Sequence, residues 1–210
     1  NHYYGDKGID KNGILPYPTG DAIIANIPDF EKVVQFHGPN DEKFSLTDQQ
    51  GNLQVFREEQ VLYTDENFFD VMDFEIISGA DGKILGEPFK IILTESMATK
   101  YYGDGNPIGQ TIKINNKESV EVAAVMKDPP TNTNLPFNCI VSMPTLRKRH
   151  PDIFKDNWGM TWAYCVYVLI RENANIDELE AKLETWENTL HEDSEEDQAK
   201  TIMKLQPLSD

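Results

Sequence analysis

The sequence predicts an α+β domain, and three observations carry that prediction. Strand–helix–strand patterns stand at both ends of the 210-residue chain, a β-rich section lies between them, and no steady βαβ repeat links the short elements. Hydrophobic residues make up 39% of the chain and aromatics 10%, which is enough to build a core at this length and argues against a disordered chain.

Residues 1 to 16 are polar and read as a loose leader or an edge segment. Thr19 or Asp21 can cap a short helix carrying Ile23, Ile24 and Ile27, which Pro28 must end. Phe30, Val33, Val34 and Phe36 form a strand-like run expected to stop at His37-Gly38-Pro39. Lys43 to Asp48 and Leu53 to Tyr63 flank Gln49-Gln50-Gly51-Asn52, where glycine supplies the positive φ of a tight connection, so a hairpin is expected. Thr64 or Asp65 caps a helical turn carrying Phe68, Phe69 and Met72, and Phe74, Ile76 and Ser78 then alternate up to Gly79.

Phe89 to Leu93 is a short β run after Pro88. Thr94 is an N-cap, Glu95 lies in the first turn, and Gly103 ends a helix whose Met97, Ala98 and Tyr101 share one face. Pro107 and Gly109 turn the chain into Thr111 to Ile114, and Asn115-Asn116 turns it into Ser119 to Lys127. In that last strand Val120, Val122, Ala124 and Met126 make an apolar face. Pro129, Pro130 and Pro136 keep Asp128 to Pro136 irregular, and Phe137 to Met143 is strand-like again. Pro144 to Trp158 reads as a helix and then a loop, interrupted at Pro151. Trp162 to Ile170 is a strand. Asn175 with Glu178 forms an Asn version of the capping box, opening a helix with Ile176, Leu179, Leu183, Trp186 and Leu190 on one face. An acidic loop, His191 to Lys200, and a final strand, Thr201 to Pro207, complete the chain.

Charge excludes several partners. Thirty-six acidic residues against 19 basic ones give a net charge of -17, which repels phosphate backbones and anionic lipid surfaces, so no nucleic-acid partner is expected. The basic cluster Arg147, Lys148, Arg149 and His150 reads as a solvated helix end. The longest apolar run, Ala163 to Ile170, is far shorter than the roughly 20 residues of a membrane helix. The chain opens on Asn1, and a piece of something longer is expected. Cys139 and Cys165 lie in apolar strand-like sequence, where two buried free thiols are expected; a disulfide in an oxidising compartment is the alternative.

Catalytic patterns are missing. Gly103 to Thr111 resembles a nucleotide loop only superficially: three residues separate Gly105 from Gly109, Gln110 stands where lysine is needed, and a strand follows. Ser96 and Lys100 have three residues between them where the penicillin-binding pattern has two. His2, His37, His150 and His191 are scattered and outside any motif. The acidic run Glu192 to Asp197 lacks the glycine and spacing of an EF-hand and reads as a solvated loop. No catalytic, cofactor-binding or metal residue is assigned, partner-contact residues are unknown, no cofactor is expected, and the chain is not expected to be an enzyme.

Four segments carry a family resemblance. Val61 to Phe74, followed by Ile76-Ile77-Ser78-Gly79, resembles a "V-x-x-x-[FY]-F-x-V-F-x-[FL]" block before "x-x-x-G". Ile91 to Gly103 resembles "sivLtesxAkkyFG", Asn106 to Ile112 resembles "NPIGkxi", and Val120 to Asp128 resembles "fxVxGVxkDxP". Together they are similar to the MacB-like periplasmic core domain of FtsX-like/MacB ABC-transporter permeases. Asn134 and Asn138 replace the family's histidine and aspartate, and Ala124 stands where glycine is usual.

The resemblance implies two lobes: a porter-like βαβ lobe from residues 1–64 and 159–210, and an inserted, β-rich, sabre-like lobe from residues 65–158. Both chain ends, Asn1 and Asp210, should leave from the same lobe. It further implies an extracytoplasmic (periplasmic) domain of a bacterial inner-membrane efflux permease, flanked by transmembrane helices of the same polypeptide. A separate cytoplasmic ATPase subunit would move those helices, and the domain would transmit the motion mechanically to export or to a partner. That partner would be a second copy of the chain or a periplasmic or outer-membrane protein. The alternative is a free periplasmic protein binding a small ligand or peptide in a cleft between the lobes.

Overall fold

In a computed structural model, residues 2–3, 9–10, 14–48, 51–152, 154, 162–190 and 203–208 are described. The strands are β1 (His2–Tyr3), β2 (Ile9–Asp10), β3 (Leu15–Pro16), β4 (Phe30–Thr47), β5 (Leu53–Thr64), β6 (Ile76–Gly79), β7 (Lys90–Thr94), β8 (Thr111–Ile114), β9 (Glu118–Met126), β10 (Cys139–Ser142) and β11 (Trp162–Ile170). The helices are α1 (Thr19–Asn26), α2 (Phe68–Val71), α3 (Glu95–Tyr102), α4 (Met143–Arg149) and α5 (Ile176–Leu190), with a 3-10 turn at Gly82–Gly86. The fold is mixed α+β with a sheet-rich core, as expected.

β1 and β2 pair with each other. The other nine strands form one sheet in the order β3-β11-β4-β5-β10-β7-β9-β6, with β8 pairing β4 and β9. β10 runs parallel to β5, and β7 parallel to β9; the remaining pairs are antiparallel. Sheet pairing is therefore continuous from residues of the chain ends into the middle section.

β4 is the spine. The expected stop at His37-Gly38-Pro39 is instead an irregularity inside an 18-residue strand. Its pairing with β5 shifts register between His37, Asn40 and Glu42, and Gly38 has φ +119°. Proline cannot donate to the ladder, so it is tolerated where the ladder breaks. Below the break β4 pairs with β11 through Phe30 to His37, and above it with β8 through Phe44 and Ser45. The hairpin into β5 forms as expected, with Thr47 opposite Leu53.

The central strands are buried on both faces, as strands covered on two sides must be. Side chains alternate across the sheet. Val61, Tyr63, Ile91, Leu93, Cys139 and Val141 join one cluster with Phe44, Met97 and Val122. Leu62, Ile92 and Ile140 join another with Phe36, Phe68 and Phe137. In the second cluster Phe68 stacks on Phe74 at 5.4 Å and meets Phe137 edge-on at 5.9 Å. A third cluster seats α1 and α5 on the outer strands through Ile23, Ile27, Val33, Leu179, Leu183 and Trp186.

Helix ends follow local chemistry with some differences. Thr94 accepts from Met97 N at 3.3 Å, and Gly103 closes α3 with φ +57°. α1 instead has Pro18 at its N-cap with no side-chain bond, and Thr19 is buried inside the helix. Asp65 fixes the entry to α2 by accepting from Asn67 N at 2.9 Å and from Gln35 N at 3.0 Å. At α5, Asn175 accepts from Glu178 N at 3.4 Å, while Glu178 takes the Asn175 amide rather than its backbone N–H. On that helix Ile176 is exposed, so the buried face starts at Leu179.

The expected last strand is not seen over residues 203–208. There Met203 N and Leu205 N donate to the carboxylates of Glu187 and Glu180 on α5, at 2.9 and 3.1 Å, instead of to a neighbouring strand. Asn1, Asp210, the acidic loop His191 to Lys200, Thr201 with Ile202, and most of the expected loop up to Trp158 lie outside the described residues.

Edge strand β6 yields a stability test. Gly79 has φ +94°, and a Cβ there would lie 2.4 Å from Ala123 O and 2.7 Å from Ala124 Cα. Gly79→Ala should cost about 1–3 kcal/mol, read as a lower midpoint in urea unfolding. An unchanged midpoint would show that β6 is free to shift away from β9.

Candidate functional site

Two carboxylates are buried directly opposite each other. Glu42 on β4 faces Glu58 on β5 in register, and they are 6% and 4% exposed. The pleat puts them there. Glu42 shares parity with Phe44 and Leu46, and Glu58 with Phe56, so both carboxylates are carried to the inward face. That parity is the signal the sequence carries for the pair, and it belongs to no catalytic motif.

Each carboxylate has its own set of donors. Glu42 accepts from the Tyr63 hydroxyl at 2.5 Å, from Arg149 Nη1 at 2.8 Å and from the Asn115 amide. Glu58 accepts from the Tyr101 hydroxyl at 2.5 Å and from Lys100 Nζ at 2.6 Å. Arg149 also lies 3.2 Å from Glu118 and 5.6 Å from the centre of the Tyr63 ring. α3, α4 and the β8–β9 turn are thus tied to β4 and β5 by charge-assisted bonds.

The solvated helix end expected for Arg147 to His150 holds for Lys148 and His150, which are exposed, and is corrected at Arg149. Arg149 is 8% exposed and paired. Arg147 reaches Asp21 at 3.2 Å and lies over Tyr17. Glu42 of β4 draws the Arg149 guanidinium inward, which the local sequence does not record.

Cys139 sits beside this network. Burial pushes its thiol well up, and the Glu58 and Glu42 charges push it further. Cys165 is half-buried and also shifted up by burial. Both thiols are free. Burial, followed by the neighbouring glutamates, raises the phenols of Tyr63 and Tyr101 far above their usual range. Both phenols hold their protons and donate them to the glutamates.

The residues weighed as catalytic pairs are drawn apart. Ser96 bonds Asp128 through its hydroxyl, while Lys100 bonds Glu58. The turn after α3 leads into β8, with no helix beginning there. Among the described residues no group of three or more His, Cys, Asp or Glu is placed to hold a metal ion. No helix among them is long and apolar enough to cross a membrane. Surface depressions occur among the described residues. One, of about 380 Å³, lies between α1 and α5 beside Ile27, Lys182 and Trp186. Another, of about 450 Å³, is lined by Phe89, Lys117, Glu118, Ser119, Lys148 and Arg149.

A surface tie joins the same parts of the chain. Asp70 of α2 accepts from Lys32 of β4 and Lys83 of the 3-10 turn, and these hydrogen bonds hold its carboxyl below the usual range.

Fold and network together define a mixed α+β domain whose sheet is held by a buried ionic lattice. The chain belongs to the MacB-like periplasmic core domain family, which it matches over residues 3–186. No curated protein matches it. A domain of a putative permease protein from Porphyromonas gingivalis is similar at 20% identity and TM-score 0.74, covering 92% of this chain and 80% of that one. The periplasmic region of MacB from Actinobacillus actinomycetemcomitans is similar at 17% identity and TM-score 0.59, covering 89% and 78%. The extracellular domain of a noncanonic ABC-type transporter, YknZ, from Gram-positive bacteria is similar at 15% identity and TM-score 0.54, covering 86% and 84%. At these identities the likenesses show the shared fold. The departures noted in sequence suit it: Asn138 joins β5 and β7 through its backbone, and Ala124 is fully buried in β9.

Three measurements follow from these contacts. Arg149→Met leaves Glu42 and Glu118 without their cation and should cost about 3–5 kcal/mol in chemical unfolding. Cys139 should resist an aromatic disulfide reagent in the native state and react only on unfolding; rapid native labelling would contradict its burial. Asp70, with its lowered pKa, stabilises the fold above about pH 4, and the contribution is lost as pH falls through the folded-state value. D70N should therefore lower the melting midpoint at pH 7 by about 1–2 °C, with the gap closing in acid.

Proposed function

We propose that this chain is the extracytoplasmic domain of an inner-membrane ABC-transporter permease and that it passes motion of neighbouring membrane helices to an export step or a periplasmic partner. The family match over residues 3–186 carries this reading. Energy comes from a separate cytoplasmic ATPase subunit. The partner is a second copy of the domain or a periplasmic or outer-membrane protein. No cofactor and no hydrolytic chemistry of the domain's own are involved.

The placement of the end segments supports the reading. β3 pairs with β11, and Met203 and Leu205 pack on the cluster that α5 and β11 share. Both segments lie on the same part of the molecule, which suits a domain held between membrane helices. In the proposed division the porter-like lobe is residues 1–64 and 159–210, a range that holds the third cluster, and the sabre-like lobe is residues 65–158, while the other two clusters draw on both ranges. Continuous sheet pairing and the ties to Glu42 and Glu58 support a reading in which the domain rocks as one body.

The test uses the full-length protein. Spans of about 20 apolar residues should flank the domain. Removing the domain should abolish transport in reconstituted vesicles while the ATPase still turns over. Transport that survives the deletion would sink the proposal. A full-length product with a cleaved signal peptide and no such spans would instead favour a free binding protein.

A further inference from the structure

In this acidic chain most described cations have a carboxylate partner. Lys32 and Lys83 pair with Asp70, Lys90 with Glu121, Lys100 with Glu58, Lys127 with Glu75, and Lys182 with Asp29. Among the described residues Lys43, Lys113, Lys117, Lys148 and Arg171 have no such ion pair, and of these Lys117 and Lys148 line the 450 Å³ depression at the end of α4.

Other features meet at the same place. Arg149, more than nine-tenths buried at 8% exposure, lines it too. Its Nε and Nη2 have no hydrogen-bond acceptor; Glu118 lies within ion-pair reach of Nη2 at 3.2 Å without completing a bond. Phe89 forms a wall with φ +63°, a left-handed conformation in which bulky residues are outliers and which concentrates at functional sites. It is held there by Thr145 Oγ1, which accepts from Phe89 N at 2.6 Å, and by Glu121 N, which donates to Phe89 O at 2.9 Å. The Lys148 ammonium lies 5.3 Å from the centre of the Phe89 ring.

The local charge is opposite to that of the chain. Lys117, Lys148 and Arg149 face the two carboxylates Glu118 and Glu42, a surplus of one positive charge. The C-terminal end of α4 is negative and offsets part of that, but His150 N already bonds Leu146 O at 3.0 Å. At physiological salt the screening length is about 8 Å, so the distant acidic surface is damped and the pocket's own groups decide.

We propose that this pocket binds an oxyanion, a carboxylate or phosphate group. Lys117 and Lys148 are its counter-charges, the Ser119 hydroxyl is a donor, and Arg149 is the fixed cation behind them. Phe89 supplies an apolar wall for whatever carries the anion. The inference stands apart from the transporter reading, because it rests on the pocket alone.

The test is an amide NMR titration of the domain at physiological salt with acetate, inorganic phosphate and short-chain phosphatidylglycerol below its micelle concentration. Amides of Phe89, Lys117, Ser119 and Lys148 should shift together and saturate. The double variant K117Q/K148Q should weaken that binding about tenfold while leaving the melting midpoint unchanged. Saturation by phosphate or acetate at the lower concentration assigns a free oxyanion, and saturation by the lipid at the lower concentration assigns a headgroup. Shifts spread equally over Lys43, Lys113 and Arg171, shifts that persist in the double variant, or no saturable shift at all would each overturn the proposal.

Discussion

Two negative charges placed face to face inside a sheet set the terms for the rest of the molecule. Like charges directly opposite on paired strands repel, and burial removes the water that would screen them. Glu42 and Glu58 are tolerated because each has a phenol and a cation of its own. Those donors come from β5, α3 and α4, and an amide comes from the β8–β9 turn. Where the helices sit over the sheet is therefore decided as much by these acids as by apolar packing. A buried ionic lattice of this kind adds little net stability over an apolar core of the same shape, and its clearer effect is to admit one arrangement of the elements.

β4 carries the second constraint. It is long enough to reach two sets of neighbours, and the break at Gly38-Pro39 lets it turn from one to the other. With it, one run of hydrogen bonds links the cluster under α1 and α5 to the clusters under α3. The nine strands of the described sheet are joined edge to edge by hydrogen bonds.

Much of the fold was legible in sequence because its signals are local. The Thr94 cap, the Gly103 stop, the Asn115-Asn116 turn with φ of +50° and +59°, and the strand Trp162–Ile170 depend on residues within a few positions of one another. The misread elements depend on distant ones. Pro39 looked like a strand end because local chemistry forbids a ladder bond there, and only the neighbours β5, β8 and β11 carry the strand past it. Residues 203–208 have strand-like composition, but carboxylates on α5 take their N–H groups.

Sequence by itself determined the fold class, most element boundaries and the family, since each is written in neighbouring residues or in short ordered motifs. Tertiary structure alone decided that Arg149 is buried and that Lys117 and Lys148 share a pocket. Arg149 meets Glu42 across 107 positions of sequence, and Asn115 meets it across 73. The fate of a charge depends on the opposite charge it meets in space, and nothing local to the chain encodes that distance.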